Sequence, residues 1–173
     1  SAVKEHFDID KNAEITIECN PSKNLEKDFY NYAEYGINRV SIGMQSARNE
    51  ERFALGRSAG QAEVKKAVFD AKAAGITNIS LDVMLGTPKQ SLASLEETFE
   101  FIDKVNVSHI SAYMLKIEEG TRFYDIKERL ALPNEDTVCE MYLKTISSLK
   151  TLGFNQYEIS NFSKPSFESR HNT

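Results

Sequence analysis

The chain has 173 residues, a formal net charge of −5 and two cysteines. That length suits one domain with a substantial core. The acidic balance argues against non-specific nucleic-acid binding, which needs a basic patch, and no apolar run approaches the roughly 18 residues of a membrane span.

The first stretch, Ser1 to Asn12, is polar and charged. Glu14-Ile15-Thr16-Ile17-Glu18-Cys19 alternates and is rich in β-branched residues, which predicts a strand ending at Asn20-Pro21. Leu25, Phe29, Tyr32 and Ala33 lie at helical spacing before Gly36. Asn38 to Gln45 reads as a second strand, Asn49 to Leu55 as a short helix, and Gln61 to Ala74 as a longer one closed by Gly75. Ile79 to Leu85 is a third, apolar strand that stops at Gly86-Thr87-Pro88. Leu92, Leu95, Phe99 and Ile102 mark the next helix, and Ser108 to Leu115 a fourth strand. Glu118-Glu119-Gly120-Thr121 is a turn, and a helix running to Gly153 starts at Leu132-Pro133-Asn134-Glu135-Asp136, with acidic residues where the dipole favours them. Tyr157 to Phe162 is expected as a fifth strand.

Strand and helix alternate at intervals of roughly 25 to 40 residues, the βα pattern of a parallel sheet or barrel. Four or five mostly parallel strands are too few for a closed eight-stranded barrel, so a partial (β/α) barrel is expected. Its uncovered edges would be sites of self-association. Cys19 and Cys139 are too far apart in sequence for a CxxC site or a disulfide framework. Both are expected as buried structural thiols, with the cytoplasm as the compartment.

In βα architectures ligands sit outside the carboxyl ends of the strands. Glu18, Gln45 and Asp82 fall there, and Arg57 follows the second strand in Leu55-Gly56-Arg57. Asp82 interrupts an apolar run, and a buried carboxylate costs several kcal/mol unless it is paired or hydrogen-bonded. Two carboxylates, an amide and a guanidinium suit a small zwitterionic molecule: carboxylates for hydroxyls or an ammonium, the guanidinium for a carboxylate. The alternatives are a surface salt bridge for Arg57 and a solvent-facing strand position for Glu18. A divalent metal on Asp82 and Glu18 would demand further oxygen ligands. His109, inside an apolar strand, is expected to pack in the core with a satisfied ring nitrogen.

Several segments in order carry a more specific likeness: Glu14 to Pro21, Gly36 to Ser46, Leu55-Gly56-Arg57, the Asp82 strand with Gly86-Thr87-Pro88-Lys89-Gln90, His109 to Tyr113, Glu119-Gly120-Thr121, Leu132 to Asp136, Tyr157 to Phe162 and Ser169-Arg170-His171-Asn172. The series resembles the radical SAM family and, within it, the group of oxygen-independent coproporphyrinogen III oxidases and related heme chaperones. The resemblance implies an incomplete (β/α)6 barrel that uses S-adenosylmethionine and a 4Fe-4S cluster. By position it places Glu18, Gln45, Arg57 and Asp82 on side chains that bind S-adenosylmethionine, and Lys116 on a position that contacts it. The family's CxxxCxxC motif and Gly-rich methionine-binding stretch are not in this sequence. The chain therefore corresponds to the central-to-C-terminal part of the barrel, with residues 154–173 opening the following region. With two cysteines it is expected to bind no cluster by itself and to be catalytically silent.

Within the group, Arg170-His171-Asn172, Leu55-Gly56-Arg57 and Glu119-Gly120-Thr121 favour the chaperone branch. That branch implies heme binding and transfer to respiratory hemoproteins. The oxidase branch implies decarboxylation of coproporphyrinogen III, with an electron donor protein as partner. His171 is either an ordinary exposed histidine or an axial ligand of heme iron. Relatives commonly carry His two residues after the Arg of Leu-Gly-Arg; Ala59 stands there in this chain.

Overall fold

The structure, a computed structural model, describes residues 5–173. Its described residues form strands β1 (Thr16–Cys19), β2 (Arg39–Gln45), β3 (Asn78–Leu85), β4 (His109–Met114), β5 (Asn155–Gln156) and β6 (Asn161–Ser163). They make one sheet in the order β1-β2-β3-β4-β6-β5. β1 to β4 run parallel, while β6 is antiparallel to β4 and β5 antiparallel to β6. The helices are α1 (Glu26–Glu34), α2 (Asn49–Ala54), α3 (Gln61–Ala73), α4 (Leu92–Val105), α5 (Arg122–Asp125) and α6 (Glu135–Thr151). This is the expected partial, mostly parallel barrel, open along β1 and β5.

Alternation along the strands builds the core. Val40, Ile42 and Met44 on β2, Ile79, Leu81, Val83 and Leu85 on β3, and Ile110 and Ala112 on β4 are all buried. The same cluster contains Phe29 of α1, Val64 and Ala67 of α3, Leu95 and Ile102 of α4, and Met141 and Leu149 of α6. Burying a side chain of this size stabilises by about 1.5–3 kcal/mol. The helices carry local stop and start signals: Ser91 Oγ accepts from the Ser94 N–H at 3.2 Å, and Asn134 Oδ1 from the Thr137 N–H at 2.8 Å. Gly75 and Gly153 follow α3 and α6 at φ +87° and +85°, a conformation that favours glycine.

One local expectation needs correction. The fifth strand is a hairpin: only Asn161–Ser163 pairs with β4, and Asn155–Gln156 folds back on it. The Ser160 N–H turns to Glu158 Oε1 at 2.8 Å, and the Tyr157 N–H to the Asn161 carbonyl at 3.2 Å, so residues 157–160 form the connection. After the Glu118–Thr121 turn, Thr121 Oγ1 caps the one-turn helix α5 by accepting from the Tyr124 N–H at 3.3 Å. A helix this short leaves no periodicity to read.

The C-terminal segment straps the sheet. The Lys164 N–H reaches the Ser108 carbonyl at 2.9 Å, beside the start of β4. Further on, Ser169 Oγ and the Arg170 N–H both donate to Glu14 Oε1 at 3.1 Å, and Arg170 Nη1 donates to the Asn12 carbonyl at 2.7 Å, just ahead of β1.

Candidate functional site

The alternation that buries one face of the sheet turns a polar set to the other. Thr16 and Glu18 of β1, Arg39 and Ser41 of β2, Asp82 of β3, and Ser111 and Tyr113 of β4 line a cavity of about 700 Å³ with Ser169, His171 and Asn172 of the strap. Gly43, Asp82 and Ser111 stand level across β2, β3 and β4. Ser41 Oγ donates to Asp82 Oδ1 at 2.7 Å. Burial pushes the Asp82 carboxyl above its usual range, opposed by the Ser41 hydrogen bond, raised further by Glu18 and lowered by Arg39. The Tyr113 hydroxyl is also raised, chiefly by burial.

Gln45 ends β2, whereas Arg57 lies in the loop after α2 and reaches Asn20, just beyond β1. The register between β2 and β3 shifts at Gly43–Gln45, and Gln45 takes φ +67°. Its amide folds back over Gly43: a Cβ on Gly43 would lie 3.1 Å from Gln45 Nε2 and 3.3 Å from Asn20 Oδ1. Among the described residues Arg57 forms no salt bridge; its Nη1 donates to the same Asn20 Oδ1 at 2.8 Å. Asn20 thus joins Arg57 to the Gly43–Gln45 corner beside Asp82. Lys116 stands apart, paired with Glu118 at 2.6 Å on the rim of a second cavity lined by Leu55, Gly56 and Phe123.

A buried network stiffens the loops under this corner. Ser46 Oγ donates to Glu51 Oε2 at 2.6 Å, and Gln90 Nε2 reaches the same oxygen at 3.4 Å. Gln90 also accepts from the Gly86 N–H at 2.7 Å and donates to the Met84 carbonyl at 3.0 Å. The loops after β2 and β3 therefore share one carboxylate. Arg52, buried next to Glu51, donates to the Ser46 carbonyl and to Asn49 Oδ1.

His109 is buried with both ring nitrogens engaged, as its apolar strand predicts: Nδ1 lies 2.8 Å from Ser80 Oγ and Nε2 2.7 Å from the Tyr157 hydroxyl. The Tyr157 oxygen accepts the Ser169 N–H at 3.1 Å; with the imidazole proton on Nδ1, the Tyr157 O–H donates to His109 Nε2 and Ser80 Oγ accepts from Nδ1. Burial, with Arg39 nearby, pushes the His109 pKa down to about 3.

The cysteines depart from expectation. Cys19 is half-buried and Cys139 exposed on α6, both free. Burial, then Asp82, pushes the Cys19 thiol up to about 11, which makes it a poor thiolate at neutral pH. Among the described residues no group of three His, Cys, Asp or Glu could hold a metal ion. No described helix is long and apolar enough to cross a membrane. Sequence reasoning that looked only at strand ends missed Arg39, Ser41, Ser111 and Asn20. The alternation Arg39-Val40-Ser41-Ile42-Gly43 carried the signal for the first two.

The model of the radical SAM superfamily matches residues 2–102. The heme chaperone HemW of Buchnera aphidicola subsp. Schizaphis graminum is 38% identical over 170 residues, 98% of this chain and 44% of that protein. The heme chaperone HemW of Bacillus subtilis is 36% identical over 162 residues, 92% of this chain and 43% of that protein. The chain thus spans less than half the length of these relatives. Among solved structures, the radical SAM enzyme coproporphyrinogen III oxidase (HemN) of Escherichia coli superposes with a TM-score of 0.85 at 22% identity, over 95% of this chain and 38% of that one, a likeness of fold. With a family model covering more than half of its residues, the chain belongs to the radical SAM superfamily.

Proposed function

We propose that this chain supplies the S-adenosylmethionine-holding part of a heme chaperone-like radical SAM protein, which binds heme and passes it to hemoproteins in the cytoplasm. In this reading residues 1–173 are the central and C-terminal part of the barrel, and residues 154–173 open the next region. The observation that carries it is that Glu18, Asp82 and His171 line one cavity, in a chain whose relatives over nearly its whole length are named heme chaperones. Heme or a porphyrinogen, an electron donor protein and respiratory hemoproteins are the partners that go with it.

The residues fit S-adenosylmethionine. Gly43 leaves a cradle that a Cβ would crowd, between the amides of Gln45 and Asn20. Glu18 and Asp82 offer acceptors for an ammonium or ribose hydroxyls, and Arg57, hydrogen-bonded to Asn20, offers a guanidinium for a carboxylate. When bound, S-adenosylmethionine supplies a sulfonium that a cluster electron can cleave. The described residues do not fit a 4Fe-4S cluster, since two distant free cysteines cannot bind one.

Titration of the protein with heme tests the reading. It predicts a saturable Soret shift that His171→Ala weakens. No shift in this chain or in the full-length protein, together with conversion of coproporphyrinogen III by the latter, would move the assignment to the oxidase.

A further inference from the structure

Arg39 is a guanidinium that the fold buries with a donor left unmatched. It is only 5% exposed; the Asp82 carboxylate is near enough to feel its charge, yet its Nε–H is fully enclosed and has no hydrogen-bond acceptor among the described residues. Arginine cannot shed its proton to escape burial, and a buried guanidinium donor left without an acceptor is costly. Stability alone gives no reason for it. The remainder of its fork faces the same cavity as Asp82, Glu18 and His171.

Height in the sheet separates the charges. Arg39 opens β2 level with Thr16 and Asn78, whereas Asp82 stands level with Gly43, further towards the carboxyl ends of the strands. Ser169 and Asn172 of the strap lie on the cavity wall with it. The cavity is therefore cationic at one end and anionic at the other, the pattern that receives an amphoteric ligand acid group first. A planar fork of N–H donors matches a carboxylate in two-point contact.

We propose that Arg39 is a ligand-binding residue that receives a carboxylate of the molecule entering this cavity. The identity of that molecule rests on the reading given above. On that reading the carboxylate is a propionate of a tetrapyrrole, and the methionyl carboxylate of S-adenosylmethionine is the other source of the same chemistry.

The test has two arms. In the first, the protein is titrated with sodium propionate and with S-adenosylmethionine while the arginine Nε–H resonances are followed by NMR. A saturable shift of the Arg39 signal, absent from the spectrum of Arg39→Met, supports the assignment whether or not heme binds. An unmoved signal with both ligands overturns it. In the second, heme and its dimethyl ester are compared. Wild type should favour the free acid by about tenfold to a hundredfold, and Arg39→Met should bind the two alike. Arg39→Lys, which keeps the charge but loses the fork, should fall between them and controls for misfolding. Equal binding of acid and ester by wild type, with the Arg39 signal shifted by S-adenosylmethionine, assigns the carboxylate to the methionyl end. Failure of heme binding with a propionate-sensitive Arg39 removes the heme reading and leaves the carboxylate site standing.

Discussion

Ser41 and Asp82 are joined by a 2.7 Å hydrogen bond across two parallel strands, on the face of the sheet that carries no helices. A half-buried carboxylate held by one hydroxyl makes a pH-sensitive centre. Because burial raises its pKa above about 3.8, the native state holds the proton more tightly than the unfolded chain. The resulting stabilisation is present at acid pH and lost as pH rises through the folded value. Asp82→Asn keeps an acceptor for Ser41 and removes the charge. At pH 7 it should raise the melting temperature by roughly 2–4 °C, the response to about 1 kcal/mol in a domain of this size. A lower melting temperature would mean that Asp82 is stabilised as the anion.

Gly43→Ala separates fold from site. The new methyl would meet two side-chain ends, Gln45 Nε2 at 3.1 Å and Asn20 Oδ1 at 3.3 Å. Both can yield, so stability measured by urea unfolding should change by less than about 1 kcal/mol. Ligand affinity at the corner should fall about tenfold or more, because both amides are pushed off position and Arg57 loses its anchor. Unchanged affinity would show that the corner binds nothing.

The pattern of the sequence reads well where burial dictates residue type and poorly where a side chain serves a neighbour. β2, β3 and β4 were legible because Val40, Ile42, Ile79, Leu81 and Ile110 must be apolar to meet the helices. The hairpin of β5 and β6 was not. Tyr157-Glu158-Ile159-Ser160 has strand composition, but the Glu158 carboxylate captures the Ser160 N–H and Ile159 is 71% exposed. The strand-end polar residues could be picked out by position. Their linkage through Asn20 could not, since nothing in Asn20-Pro21 distinguishes a turn residue from one that braces Arg57.

His109 gives a pH dependence of opposite sign to Asp82. Its pKa falls from 6.5 to about 3 in the folded protein. The stability that comes from keeping it neutral is complete above pH 6.5 and is lost as pH falls towards 3, at about 1.4 kcal/mol per pH unit. Urea midpoints measured from pH 7 down to pH 4.5 should therefore fall less steeply in His109→Gln than in wild type, and more steeply in Asp82→Asn. Parallel profiles for His109→Gln and wild type would refute a neutral, buried His109.

Glu51→Ala should cost about 2–4 kcal/mol, because it leaves Ser46 and Gln90 without their shared acceptor in a buried site. The loss should be accompanied by faster amide exchange at Gly86, whose N–H is held by Gln90 at 2.7 Å. A loss in stability without faster exchange at Gly86 would mean that the two loops are not coupled.

The most direct measurement is saturation-transfer NMR of S-adenosylmethionine with this protein, repeated with Asp82→Ala and Gly43→Ala. The account predicts a saturable signal on the ribose and methionyl protons of wild type that both variants strongly reduce. A signal of equal strength in all three proteins, or none in wild type at millimolar ligand, would contradict it.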